Sequence, residues 1–173
     1  ATMDAEGYCN IVGRAKDMII RSSHNIDPLM IEDTLQKHPD VLMAAAVGAP
    51  DEYAGELPVA YVTLRPGATT DAPSLLLFAE QHMPERPAVP KQIVVLDALP
   101  VTAIDKFFNP RLREMAAQQV IEYRLAQRRL SGTVAAQVLA DSMGVQVLFD
   151  CCCDAAAAAT VKYMMAPFSL LLR

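Results

Sequence analysis

The sequence predicts an α/β (α+β) fold in which a small central β-sheet is flanked by helices, followed by a helical or mixed C-terminal extension. Two observations predict this fold. Strand-type and helix-type segments alternate in the order ββαββαβ, loop, α over the first part of the chain. The composition is that of a globular protein, with 53% apolar and 20% charged residues among 173. We therefore predict a domain over residues 1–117 and an extension over residues 118–173.

The first elements are two short β-prone runs and a helix. Residues 8–14 and 17–22 read as strands, and the turn-forming residues between them predict a hairpin. In "NIDPLMIEDTLQKHPDV", Asp27 is a good N-cap and Pro28 suits the first helical position. Pro39 ends this helix.

Three more strands and two more helices complete the predicted domain. "VLMAAAVGAPD" predicts a buried strand that ends at Gly48, and "GELPVAYVTLRPG" predicts another that Pro66-Gly67 ends. "DAPSLLLFAEQHM" predicts a helix with Asp71 or Ser74 near its start. "KQIVVLDALP" predicts a third core strand, and "NPRLREMAAQQVIEYRLAQRR" predicts a long helix with Pro110 in its first turn.

The extension is apolar enough to pack but has no catalytic pattern. "SGTVAAQVLADSMG" predicts an Ala-rich helix that starts after Ser131 and stops at Gly144. "VQVLFD" predicts a short strand, and "DAAAAATVKYMMAPFSLLLR" predicts a helix up to Pro167. We interpret this part as a packing appendage or as a contact in a homo-oligomer.

Charge and cysteine content exclude several classes of function. The net charge of −5 argues against broad attraction to nucleic acid or to an anionic membrane surface. The four cysteines, Cys9 and Cys151 to Cys153, have no metal-binding spacing, so we predict no metal site and expect reduced thiols in a cytoplasmic protein. No secretory signal and no apolar run long enough to cross a bilayer is found. The abrupt start suggests a piece of a longer protein.

Two motifs near the N-terminus could bind an anion or admit a ligand. In "GRAKDMII", Arg14 can make a bidentate fork to phosphate or carboxylate, and Lys16 adds a second positive charge. Taken alone, this motif is also typical of a plain hairpin turn. In "RSSHNIDP", the small residues Ser22 and Ser23 precede His24, so a ligand could approach the backbone. Taken alone, this motif is also typical of a helix-capping loop.

The third motif is "PVTAIDKFFNP", in which Lys106 lies between an apolar run and two phenylalanines. A lysine is a compact positive charge on a flexible stem, suited to a phosphate or carboxylate that gains charge in a transition state. The alternative is an ordinary solvated lysine on a turn.

Three segments in this order resemble the C-terminal domain of AMP-forming acyl-CoA synthetases, which belong to the adenylate-forming superfamily. They are "GRAKDMIIRSSHNIDPLMIEDTLQKHPDV", "VGAPDEYAGELPVAYV" and "LPVTAIDKFFNPRLR", and the resemblance covers residues 1–115. It implies a mobile lid domain of a ligase that joins a carboxylate to CoA with ATP, in the style of the fatty-acyl CoA ligases. ATP, its Mg²⁺ and the acyl group would be bound mainly by a separate N-terminal domain. Because this sequence has no phosphate-loop pattern, the chain alone is expected to be inactive.

The resemblance also implies roles for single residues. Lys106 matches the adenylation lysine, Lys16 falls at the hinge position, and Arg14 matches an arginine that contacts phosphate or the nucleotide site. The loop that lines the pantetheine tunnel is matched by Ser22, Ser23 and His24.

The sequence departs from the family pattern at three positions. Asp105 and Ser23 stand where the family generally has Gly, and Asn109 stands where a Lys or Arg is usual. A carboxylate beside Lys106 would compete with the substrate for its ammonium group. Two alternatives therefore stay open: a non-catalytic binding module that keeps the lid fold, and an adenylating enzyme that does not use CoA.

Overall fold

The computed structural model of the protein describes residues 2–3, 5–10, 17–101, 107–127, 135–141, 144–150, 159–161, 163 and 171–172. The strands of its main sheet are β3 (Ile19–Arg21), β4 (His24–Ile26), β5 (Val41–Asp51), β6 (Gly55–Leu64) and β7 (Gln92–Val95). They are arranged in the order β4-β3-β6-β5, with β7 beside β6. The helices are α1 (Pro28–Gln36), α2 (Ala72–His82) and α3 (Asn109–Gln127). The predicted sheet flanked by helices is confirmed.

Strands β5 and β6 form the centre of the fold. They pair antiparallel from Val41↔Leu64 to Asp51↔Gly55, so the two strands make one long hairpin. The other side of β6 is shared by two strands. Arg21 of β3 pairs beside Gly55, and β7 runs parallel to β6 from Val59↔Gln92 to Val62↔Val95. The predicted strand that ends at Gly48 continues in fact to Asp51.

Helix α1 begins where its capping residues predict. The N–H of Leu29 donates to Asp27 Oδ1 at 3.0 Å, and Pro28 occupies the first turn. One turn further on, Glu32 Oε1 accepts the N–H of Ala46 in β5 at 2.9 Å. Burial raises the pKa of Glu32, and nearby acidic side chains such as Asp33 raise it further, although the hydrogen bond from Ala46 opposes them.

The sheet has two apolar faces, and each is covered by helices. Helices α1 and α2 pack on one face, where fully buried Leu35, Val62 and Leu75 meet. Helix α3 packs on the other face, where Leu112 contacts a cluster around Tyr61. Burial raises the pKa of Tyr61 well above its usual range. Within the described residues, the hydroxyl groups of Tyr61 and Thr63 are buried without a hydrogen-bond partner.

The N-terminal strand pairing differs from the predicted hairpin. Strand β2 (Cys9–Asn10) pairs with β1 (Thr2–Met3), and β3 pairs with β4 and β6. Residues 11–14 of the first predicted strand lie outside the described residues. Two-residue loops close strand pairs most readily, and "SS" between β3 and β4 is such a loop. This local turn explains why β3 turns back onto β4.

The extension contains strands where a helix was predicted. Residues 131–144 were expected to be helical, but β8 (Ala135–Asp141) pairs antiparallel with β9 (Gly144–Asp150). The pairing with "GVQVLFD", which contains the β-favouring residues Val and Phe, overrides the helix propensity of the alanines. The predicted strand at "VQVLFD" is confirmed, and β10 (Leu171–Leu172) runs parallel to β9. Helix α3 passes through residue 117, and the domain division there remains a prediction.

Candidate functional site

The hairpin between β3 and β4 carries three of the predicted site residues. Arg21 pairs with His24, so Ser22 and Ser23 form a two-residue loop at its tip. Ser22 has a φ of 54°, in the left-handed region that favours glycine. The family resemblance matches Ser23 to a glycine, and the residue with the left-handed φ is its neighbour Ser22. Ser22, Ser23 and His24 are all exposed, so a ligand can reach the loop.

Hydrogen bonds to acceptors in β6 and in the turn before it fix the position of this loop. The N–H of Ser22 donates to the carbonyl oxygen of Ala54 at 2.6 Å. That turn is itself ordered, because Asp51 Oδ1 accepts the N–H groups of Tyr53 and Ala54. Glu56 Oε2 accepts the N–H of Ile20 at 2.9 Å, on the strand that leads into the loop. The loop is therefore held by the central hairpin of the sheet.

A glycine in β5 makes room for the Glu56 carboxylate. The site that a Cβ atom of Gly48 would occupy lies 2.6 Å from Glu56 Cδ and Oε2. Any side chain at residue 48 would therefore move the carboxylate away from the N–H of Ile20. Sequence reasoning did not single out Glu56. In the sequence, Glu56 is marked only by the pair "GE" at the start of a strand. That pair indicates a contact with the hairpin only when β3 is known to lie beside β6.

A depression beside the hairpin brings together residues that are distant in sequence. Its volume is about 330 Å³, and it is lined by Arg21, Ser22, His24, Arg86 and Pro87. Arg21 Nη1 donates to the carbonyl oxygen of Pro87 at 2.7 Å. This bond joins the hairpin to the 3₁₀ turn Arg86–Ala88. A larger depression of about 450 Å³, between α3 and the sheet, contains no predicted site residue.

Arg14, Lys16 and Lys106 lie outside the described residues. The residues that follow Lys16, and those on both sides of residues 102–106, are described. Lys16 is followed by Asp17, and Asp17 Oδ1 accepts a hydrogen bond from Arg113 Nη2 of α3 at 3.2 Å. The segment that contains Lys106 is closed by an isolated antiparallel bridge between Val101 and Phe107. The ends of the two basic segments are therefore connected through α3.

The described residues include neither a membrane-spanning helix nor a cluster of metal-binding side chains. None of the helices among them is long and apolar enough to cross a membrane. In the same part of the chain, no group of three or more His, Cys, Asp or Glu side chains could hold a metal ion.

Comparison with known proteins identifies relatives of this chain. Residues 30–106 match the model of the AMP-binding enzyme C-terminal domain. The chain is 54% identical over 110 residues to a marinolic acid–CoA ligase of Pseudoalteromonas sp.. This alignment covers 64% of this chain and 17% of that protein. The chain is also 40% identical over 120 residues to the mitochondrial medium-chain acyl-CoA ligase ACSF2 of Mus musculus. That alignment covers 69% of this chain and 19% of the mouse protein.

A solved structure also resembles this chain in three dimensions. ATP-bound MatB from Rhodopseudomonas palustris superposes with a TM-score of 0.61 and 31% identity. That match covers 65% of this chain and 22% of the other. The chain therefore spans about a fifth of the length of the proteins that it matches.

Proposed function

We propose that this chain is the mobile C-terminal domain of an ATP-dependent, AMP-forming acyl-CoA ligase, because residues 30–106 match the model of the AMP-binding enzyme C-terminal domain. In the first step a carboxylate oxygen attacks the α-phosphorus of ATP, and pyrophosphate leaves. In the second step the thiol of CoA attacks the carbonyl carbon of acyl-AMP, and AMP leaves. The family match, with relatives that are named CoA ligases, carries this proposal. ATP and its Mg²⁺ would be held mainly by a domain outside this chain.

Lys106 supplies the positive charge for the first step. Two anions, the carboxylate and the α-phosphate, must approach each other, and an ammonium group between them offsets their repulsion. The family match ends at this residue. The bridge between Val101 and Phe107 holds the two ends of its segment together. Arg14 contacts phosphate in the same step. Lys16 is the hinge about which the domain rotates between the two steps.

The hairpin loop serves the second step. Ser22, Ser23 and His24 line the path of the pantetheine arm of CoA. Their exposure supports this role, as does the hydrogen bond from Ser22 to Ala54, which holds the loop in one place. A small side chain at Ser23 leaves room for the arm, and the left-handed Ser22 turns the backbone sharply at the tip.

The test separates the two half-reactions in the full-length protein that carries this chain. Lys106→Ala should lower acyl-AMP formation, measured by pyrophosphate exchange with a panel of carboxylates, by at least roughly a hundredfold. The same variant should retain thioester formation from supplied acyl-AMP. Lys37→Ala, at an exposed lysine after α1, is the matched control and should leave both half-reactions unchanged. Equal loss of both half-reactions in Lys106→Ala would contradict the role of Lys106.

The wild-type protein also distinguishes the ligase from the two alternatives, of which Asp105 and Ser23 in place of glycine favour the non-catalytic binding module. Absence of both half-reactions, in a protein that still binds ATP or CoA, would identify a non-catalytic binding module. Pyrophosphate exchange without thioester formation would identify an adenylating enzyme that does not use CoA.

A further inference from the structure

The depression beside the hairpin contains an uncompensated pair of arginines. Arg21 and Arg86 both line it, and its lining includes no Asp or Glu. In the described part of the chain, neither arginine forms an ion pair with a carboxylate. The chain as a whole carries a net charge of −5, so a local cluster of positive charge without acidic partners departs from the rest of the protein. Such a cluster favours an anion.

The geometry of Arg21 suits a bound phosphate. One of its N–H groups donates to the carbonyl oxygen of Pro87, which fixes the planar guanidinium at the wall of the depression. A guanidinium has five N–H donors, so most of them remain for a ligand. Arg86 is exposed on the 3₁₀ turn and lines the same depression. Two guanidinium groups in one depression match the several oxygens of a phosphate better than the single edge of a carboxylate.

The position of the pair beside the loop identifies the molecule that would supply the phosphate. Ser22 and His24 line both the proposed pantetheine path and this depression. In CoA, the pantetheine arm continues into a diphosphate and then into a ribose 3′-phosphate. We infer that Arg21 and Arg86 bind phosphate groups of CoA where it leaves the pantetheine path. This inference rests on the proposed function, because it takes CoA as the substrate of the second step.

The first experiment detects the site in the chain itself. Amide chemical shifts of the 173-residue chain are followed by NMR while CoA is added to about 10 mM, enough to detect a millimolar Kd. The amides of residues 21–24, Arg86 and Ala88 should shift, and Arg86→Gln should weaken the response. Pantetheine, which has no phosphate, should leave residues 86–88 unchanged. No shift with CoA, or equal shifts with inorganic phosphate and with CoA, would overturn the assignment to CoA.

The second experiment measures thioester formation from acyl-AMP in the full-length protein. Arg86→Gln should raise the KM for CoA roughly tenfold, the loss of one charge-assisted hydrogen bond, and leave pyrophosphate exchange unchanged. Arg86→Lys should restore part of the affinity. Arg65→Gln removes an exposed arginine at the other end of β6, roughly 30 Å away along the strand, and is the matched control. Arg21→Gln should have a larger effect than Arg86→Gln, because it also removes the bond to Pro87.

Substrate analogues then identify the phosphate. A rise in KM with CoA but not with dephospho-CoA assigns the 3′-phosphate, and a rise with both but not with pantetheine assigns the diphosphate. An unchanged KM, or the same change in Arg65→Gln, would overturn the inference while leaving the ligase function intact. A protein that forms no acyl-CoA but shows the NMR response at residues 86–88 would refute the proposed function and retain the phosphate site.

Discussion

Replacing Gly48 by alanine should disturb the hairpin loop from the opposite strand of the central pair. The new Cβ would lie 2.6 Å from Glu56 Cδ and Oε2 and 3.0 Å from Oε1. Gly48 is not among the residues with a positive φ, so the backbone itself accepts alanine. Something must move, and the end of the flexible Glu56 side chain moves most easily. Its movement breaks the hydrogen bond with the N–H of Ile20.

The net effect on stability follows from three contributions. Loss of the partly solvated hydrogen bond costs about 1 kcal/mol. Displacement of Glu56 into a poorer rotamer costs about 1 kcal/mol more. Replacement of glycine by alanine stabilises by about 0.7 kcal/mol, because the unfolded chain loses freedom. Gly48→Ala should therefore lower the free energy of unfolding by about 1 kcal/mol. In a Glu56→Ala background the first two contributions vanish, and Gly48→Ala should stabilise by about 0.7 kcal/mol.

Urea unfolding of the wild type, the two single variants and the double variant measures this coupling. We expect a coupling energy of about 2 kcal/mol, the sum of the two contributions that depend on Glu56. If Gly48→Ala were equally destabilising with and without the Glu56 side chain, the clash would involve other atoms and the reasoning would be wrong. In the full-length protein, Gly48→Ala should also raise the KM for CoA more than it affects pyrophosphate exchange, since β3 leads into the loop.

Three further predictions concern single side chains. Glu32 has a raised pKa in the folded protein, so its contribution to stability is fully present below pH 4.5 and is lost as the pH rises through the folded pKa. Glu32→Gln, which keeps an oxygen for Ala46, should therefore be more stable than the wild type at pH 7 but not at pH 4, as urea midpoints will show. Thr63→Val removes a buried hydroxyl without a partner among the described residues and should stabilise by about 1 kcal/mol; a loss of stability would point to a hidden partner. Ser22→Val should destabilise by at least about 1 kcal/mol, because valine resists a φ of 54°, whereas Ser22→Gly should not; equal melting temperatures would refute this.

Local signals predicted most of the main sheet and its helices. Asp27 and Pro28 mark the start of α1, and Asp71, one of two candidates, proved to be the N-cap of α2. These signals work because a cap is decided by a few neighbouring residues. The Ala-rich segment in the extension failed as a helix for the opposite reason. There the pairing of β8 with β9 decides the structure, and helix propensity alone does not contain that information.

The candidate site was predictable only in part. The loop at Ser22 to His24 was found from its sequence and from the family resemblance, and the structure describes it as an exposed hairpin tip. Arg86 and Glu56 were missed, because each meets the hairpin only through tertiary structure. The bond from Arg21 to Pro87 spans 66 residues of sequence, a distance over which no local pattern gives information. The roles of Arg14, Lys16 and Lys106 remain predictions, and so does the role of Ser22, Ser23 and His24 in binding CoA.

The hydrogen bond between α1 and β5 also bears on self-association. Among the described residues, β5 pairs with β6 along one edge only, and an open strand edge is a template for pairing with a second chain. The Glu32 carboxylate already occupies the N–H of Ala46 on that edge. An incoming strand would have to displace a charged group and would gain one bond fewer. We therefore expect Glu32 to discourage edge-to-edge aggregation of the sheet.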